Sequence, residues 1–175
     1  MNNKGFTIIE MLVVIGVLGM LMTITMVFYG RAGERQITLF REQAKVLNAV
    51  SRAKFLSIQT FVQRGEKIPC GYGIHFEEPK TFILFRDDSE NCATADHKYS
   101  EVDSGKCDGE CVEKSVLDNA VMFDSLKISD IVFIPPNPVV VITPEEDQAE
   151  IIIKTIDDKG RVSIKVNNFG QITTQ

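Results

Sequence analysis

The sequence predicts an α+β protein: one long N-terminal helix, apolar in its first half and amphipathic in its second, packed on an antiparallel β-sheet domain. Three observations predict it. No proline lies between Phe6 and Ile68. An apolar run reaching Tyr29 gives way to apolar residues recurring at spacings of three and four, the period of a helix. Beyond Pro69 the pattern changes to short apolar runs separated by turn residues, as strands require.

The N-terminal run organises the rest. After Glu10 no charged residue appears until Arg31, which is enough for one helical span, since about 20 apolar residues cross ~30 Å of hydrocarbon. Glu10 stands alone in this stretch. A carboxylate there costs about 2.5–3.5 kcal/mol on insertion scales, so its presence argues for a function. A secretory signal would have a shorter apolar core and a small-residue cleavage site after it. Here the run ends in Gly30-Arg31-Ala32-Gly33-Glu34-Arg35, which offers no such site.

The start of the chain resembles a known signal. A short polar leader bearing Lys4, then Gly5-Phe6-Thr7, then Glu10 and an unbroken apolar span resemble the class III signal of type IV pilins and pseudopilins. The resemblance implies cleavage between Gly5 and Phe6 by a prepilin peptidase and N-methylation of Phe6 by the same enzyme. It gives Glu10 an assembly role, pairing with the N-terminal amine of a neighbouring subunit. It implies an inner-membrane protein with a single pass and an extracytoplasmic C-terminal domain. Its expected partners are membrane lipid, the assembly platform and, in a filament, other pilin-like subunits. Many major pilins carry a proline in the second half of this helix; here the only breakers are Gly16 and Gly19. The expected organisation is a leader (1–5), a transmembrane and filament-core helix (6–30), an amphipathic continuation (31–64) and a β domain (65–175) with a polar, cysteine-bearing loop (87–113).

Length and charge narrow the rest. The chain has 175 residues, room for one modest domain beyond the anchor. A net charge of −5 argues against general affinity for nucleic acid or anionic lipid, which need a basic footprint.

Along the second half of the helix, Ile37, Phe40, Ala44, Leu47, Ser51, Phe55, Ile58 and Val62 fall on one face, and Arg41, Lys45, Asn48, Arg52 and Gln59 on another. The first face is the expected core stripe. Span and amphipathic part together make one helix of roughly 85 Å, stopped at Arg64-Gly65-Glu66-Lys67-Ile68-Pro69 by glycine and proline. Gly71–Phe76 and Thr81–Arg86 flank Glu77-Glu78-Pro79-Lys80 as a hairpin. Apolar runs follow at 115–117, 120–123, 131–134 and 139–143, the last two separated by Pro135-Pro136-Asn137-Pro138. Glu145-Glu146-Asp147 reads as a polar turn. The runs at 149–156 and 161–166 are joined by Asp157-Asp158-Lys159-Gly160, a good hairpin turn. Asn167-Asn168-Phe169-Gly170 turns into a last strand at 171–173. The Gly71-Tyr72-Gly73-Ile74-His75-Phe76 strand, the strand ending Phe85-Arg86-Asp87 and the Gly160-Arg161 strand pair resemble H-type minor pseudopilins and FimT-like minor pilins.

Four cysteines in a domain expected to be exported suggest disulfides. Of three connectivities, Cys70–Cys92 with Cys107–Cys111 is favoured: a hairpin connects the first pair, and the second lies in one tight loop. Closing the first loop would stabilise by about 3 kcal/mol in the chain-entropy model. A zinc site using Cys107-x-x-x-Cys111 with the other thiols or His97 is the weaker alternative, because the spacing is not a standard knuckle. Asp87, Asp88, Glu90 and Asn91 lack the spaced Asp/Asn-Gly pattern of a calcium loop and read as solvated acid. Neither His75 nor His97 has a catalytic companion in the sequence, and no cofactor or metal is implied. Some FimT-like proteins bind DNA through a Gly-Arg-x-Arg stretch; here Ser163 replaces the second arginine, leaving Arg161 and Lys165 as the cations in question. Two cations on an acidic domain would bind weakly and with strong salt dependence.

The sequence therefore predicts a structural subunit, not an enzyme. It is a minor pseudopilin or pilin of a type II secretion pseudopilus or a type IV pilus. A DNA-binding minor pilin for competence is the alternative, and a membrane-anchored surface enzyme the remote one.

Overall fold

The computed structural model describes residues 7–60, 69–89, 91–100, 107–135 and 139–175. The Gly5–Phe6 junction, the helix stop at 64–68, Glu90 and the turn residues 136–138 lie outside them. The chain forms two compact units, Met1–Ile37 and Thr38–Gln175.

Helix α1 (Ile8–Thr60) begins in the first unit. Its N-terminus is fixed by Thr7, whose hydroxyl oxygen accepts from the Glu10 N–H at 3.4 Å and whose carbonyl accepts from the Met11 N–H at 3.2 Å. Thr7-Ile8-Ile9-Glu10 thus has the Ser/Thr-x-x-Glu spacing of a helix start, and Glu10 stands in the first turn, where the helix dipole favours an anion. Threonine is tolerated inside the apolar span because its hydroxyl bonds back to the helix: Thr23 donates to the Met20 carbonyl and Thr25 to that of Met22.

Among the described residues of the second unit, nine strands form two antiparallel sheets. Strands β1 (Gly71–Glu77), β2 (Thr81–Asp87), β3 (Cys111–Val116), β5 (Asp130–Ile134) and β6 (Val139–Thr143) make sheet 1, in the order β3-β2-β1-β5-β6. Strands β4 (Val121–Phe123), β7 (Gln148–Thr155), β8 (Arg161–Asn167) and β9 (Ile172–Thr174) make sheet 2, in the order β4-β7-β8-β9. Both expected hairpins are present, with Gly71 opposite Asp87 in the first and Lys154 opposite Arg161 in the second. Strands β7 and β8 alternate buried and outward residues along most of their length, the mark of sheets with one face in a core. β3 starts at Cys111, inside the stretch expected to remain loop through 113; Cys111 pairs with Phe85 and Glu113 with Leu84. A free strand edge on β2 outweighs the polar composition that suggested loop.

The core joins Val46, Val50 and Ala53 of α1 to Ile74, Ile131 and Phe133 of sheet 1 and Val121, Ile151, Ile153 and Ile164 of sheet 2, all fully buried. The helix face that enters it is not the expected one. Leu39, Glu42, Gln43, Val46, Val50, Ala53 and Ser57 are buried, whereas Ile37, Phe40, Ala44, Ser51, Phe55 and Ile58 are exposed and Leu47 is half-buried. At 3.6 residues per turn the two faces are about 130° apart. The physical reason lies in Glu42 and Gln43. Both are polar, so counting apolar residues passes over their face, yet each is satisfied inside. The Gln43 amide donates to the carbonyls of Ser163, at 3.0 Å, and Gln175. Glu42 accepts from the Asp118 N–H at 3.3 Å and lies beside Arg41 and Lys45. Buried polar groups are tolerated when bonded in this way. The third face carries the charges as expected: Arg41 pairs with Asp118, Arg52 with Glu113, and Lys45 donates to the Val116 carbonyl.

Gly73 is dictated by close packing across the sheet. A Cβ there would lie 2.7 Å from the Ile131 carbonyl oxygen and 2.8 Å from the Phe85 ring, and one on Gly71 would lie 2.7 Å from a Val132 methyl. The glycines leave room for Phe85 and Val132 to lie over β1, so sheet 1 has a second apolar layer on the face away from α1. Strand β2 reflects this: Phe82, Ile83, Leu84 and Phe85 are all buried, which requires cover on both faces.

Candidate functional site

Three groups of residues have a claim to function: the N-terminal stretch of α1, the face of α1 left outside the core, and the cysteine-bearing segment over sheet 1.

Ile8–Met26 is long and apolar enough to cross a membrane, and none of it is buried within the chain. Nineteen residues rise roughly 28 Å, close to the hydrocarbon thickness. Every described side chain from Thr7 to Met26 is exposed, including Glu10. In the second unit, Phe40 and Phe55 are 59% and 57% exposed on the helix face turned from the core. Large aromatic rings so placed along one stripe mark an interaction surface more often than isolated exposed residues do.

Among the described residues the four cysteines form two disulfides, Cys70–Cys92 and Cys107–Cys111. Around them the structure assembles groups that the sequence left apart. His97 Nδ1 lies 2.8 Å from Asp87 Oδ2, while Asp87 Oδ1 accepts from the Ser89 hydroxyl at 2.7 Å and the Ser89 N–H at 3.1 Å. His75 Nδ1 lies 2.8 Å from Asp130 Oδ1, which also accepts from the Tyr99 N–H at 3.3 Å, and Ser129 donates to Asp130 Oδ2 at 2.6 Å. Burial pushes the Asp130 carboxyl up, but hydrogen bonds from His75 and Ser129, the His75 charge and the Tyr99 N–H outweigh it and hold it below its ordinary value. Burial wins at Glu110, raising its carboxyl despite hydrogen bonds from the Ser100 and Asp88 N–H groups; nearby Asp87 and Asp96 add to the rise.

The serine, aspartate and histidine here are not in catalytic order. The carboxylate lies between Ser129 and His75, so the hydroxyl donates to Asp130 rather than to an imidazole base, and no activated nucleophile results. Among the described residues no three His, Cys, Asp or Glu side chains gather as a metal site. The signal that could have found this cluster is the run Phe82–Phe85: four consecutive apolar residues imply a strand covered on both sides, hence a segment lying over sheet 1.

Arg161 and Lys165 both project outward from β8, but each has a carboxylate partner. Arg161 bonds Asp158 at 2.9 Å and lies 3.4 Å from Asp124, and Lys165 lies 3.4 Å from Glu150. The Asp158 hydrogen bond holds the Arg161 guanidinium above its ordinary value. A phosphate would have to displace these acids. Glu145, Glu146 and Asp147 are exposed between β6 and β7, as a turn.

Comparison with known proteins bears on the first group. Residues 1–26 match the prokaryotic N-terminal methylation motif. No curated protein and no solved structure matches the chain. The motif supports a type IV pilin-like prepilin signal and a subunit of the pilin or pseudopilin type, and with the apolar helix it supports membrane anchoring. Processing by a prepilin peptidase and assembly with other pilins follow from such a signal.

Proposed function

We propose that this chain is a minor structural subunit of a type IV pilus or type II secretion pseudopilus. It is held by its N-terminal helix in the inner membrane, with residues 31–175 outside the cytoplasm, until it is cleaved after Gly5 and drawn into the filament. The observation that carries the reading is the coincidence of the methylation motif with a helical span, Ile8–Met26, that buries none of its apolar surface within its own chain. In lipid that surface is soluble. In a filament the same surface packs against neighbouring helices with water excluded.

Glu10 then has a mechanical role. In a water-free core its carboxylate and the Phe6 amine of an adjacent subunit attract strongly, because little screens them. Desolvation offsets much of that gain, so the pair supplies register more than stability: a helix one turn out of place leaves an unpaired charge in an apolar core. Methylation keeps the amine cationic. The similarity to H-type and FimT-like subunits supports the minor role. DNA binding is not favoured, given the paired state of Arg161 and Lys165.

The experiment combines mass and assembly. Membrane-extracted protein from a host with an active prepilin peptidase should begin at N-methylated Phe6. Glu10→Val should be cleaved normally yet reach the filament fraction poorly, with Glu10→Asp intermediate. A chain that keeps its leader in that host, or normal incorporation of Glu10→Val, contradicts the reading.

A further inference from the structure

The chain has only two histidines, and both contact buried aspartates of sheet 1. Asp87 ends β2 with its side chain 1% exposed, and Asp130 begins β5 with its side chain 4% exposed. These two strands flank β1. The contacts converge on one segment, residues 91–100, which lies over β1 from the Asp87 level, opposite Gly71, to the Asp130 level, opposite His75. Cys92 ties it to Cys70. His97 reaches Asp87. The Tyr99 N–H donates to Asp130, and the Tyr99 ring packs 5.2 Å from the His75 ring and 5.5 Å from that of Phe85. Beneath it Phe85 is fully buried. His97 holds a left-handed φ of 53°, a conformation that costs a non-glycine residue free energy and persists where surrounding contacts impose it.

We propose that residues 91–100 form a proton-sensitive strap, closed over the Phe85 face of sheet 1 while His75 and His97 are charged and loosened when they lose their protons. A buried carboxylate needs a counter-charge as well as hydrogen bonds. Protonated imidazole supplies both; neutral imidazole supplies one hydrogen bond and leaves the carboxylate charge uncompensated. Histidine is the side chain whose charge changes within the physiological pH range.

The other charged groups nearby do not replace the histidines. Glu77, on β1, lies 4.0 Å from His75 Nε2 and is itself held by Lys114 of β3 at 3.8 Å. Glu110 faces the Asp87 side together with Asp96, and adds negative charge there. Its carboxylate accepts from the Ser100 N–H at 2.9 Å. Below the histidine range the strap stays closed until Asp130 is protonated, and that carboxyl is held below its ordinary value.

The test is amide hydrogen exchange of the full chain in detergent micelles at about pH 5.5 and about pH 8, which bracket the histidine range. Rates are corrected for the intrinsic pH dependence of exchange. The strap account expects protection of residues 91–100 to fall about threefold or more at the higher pH, half a unit on the logarithmic scale, while amides of residues 42–57 in α1 hold theirs. His97→Gln with His75→Gln should abolish the difference, and so should Asp87→Asn with Asp130→Asn, which removes both buried charges and spares both histidines. Equal protection at the two pH values in the unaltered chain overturns the proposal. So does loss of protection spread over the whole domain, or a pH response surviving in the histidine double variant.

Discussion

The two ends of α1 put one backbone conformation to different uses. Residues 8–26 present apolar side chains all round and bury none of them in the chain. Residues 39–57 divide their surface in three: a face buried in the core, a face of ion-paired cations, and an apolar face carrying Phe40 and Phe55 outside the core. A helix that is apolar all round needs an apolar environment on every side. One that buries a single face and leaves another apolar face open needs only one further neighbour. The first end therefore depends wholly on what lies outside the chain, and the second only in part.

The comparison is sharpened first inside the core, where the largest effect is expected. Phe133→Ala removes a fully buried ring from the core cluster that α1 shares and should destabilise the domain by about 3–5 kcal/mol, read from urea denaturation of the full chain in micelles. Next comes Gly73→Ala. The added methyl would meet the Ile131 carbonyl and the Phe85 ring, and overpacking of this kind costs about 1–3 kcal/mol. Growth of that loss to the scale of Phe133→Ala would mean that β1 cannot shift at all.

A smaller effect is expected from acid. The Asp130 carboxyl is held below its ordinary value in the fold, so its contribution is present above the unfolded value, about 3.9, and is lost as pH falls through the folded one. Glu110 runs the other way: its raised carboxyl contributes stability at low pH that is lost as pH rises through its folded value. Asp130→Asn should therefore flatten the acid limb of the urea midpoint against pH, and Glu110→Gln should steepen it. An unchanged acid limb in Asp130→Asn would show that the carboxylate adds nothing to the fold.

Much of the architecture was legible because it rests on local signals. Turn residues at 78–80 and 157–160 mark both hairpins, and the alternation in β7 and β8 gives their inward faces. The division into two sheets was not legible, since it depends on pairings such as β1 with β5 and β4 with β7, far apart in the chain. The core face of α1 was misread for a physical reason: the polar residues Glu42 and Gln43 occupy it, and their burial depends on the Asp118 N–H and the Ser163 and Gln175 carbonyls, all distant in the chain. At the candidate sites, Glu10 and the signal around it are legible because a lone carboxylate in an apolar run stands out. The cluster of Asp87, His97, Asp130, His75 and Tyr99 is assembled by three strands and a loop; the apolar run Phe82–Phe85 signals that something covers β2, but not which residues do.

The central claim is that the apolar surface of α1 left outside the fold is completed by other subunits, and Phe40→Ser with Phe55→Ser tests it most directly. Both rings are exposed, so their replacement should leave the unfolding free energy, read from the urea midpoint, within about 0.5 kcal/mol of the unaltered chain. Burying such side chains between subunits is worth about 1.5–3 kcal/mol each. The fraction of processed protein recovered in sheared filaments should then fall by about tenfold or more. That fall with an unchanged midpoint is the predicted result. Recovery in filaments equal to that of the unaltered chain would contradict the account.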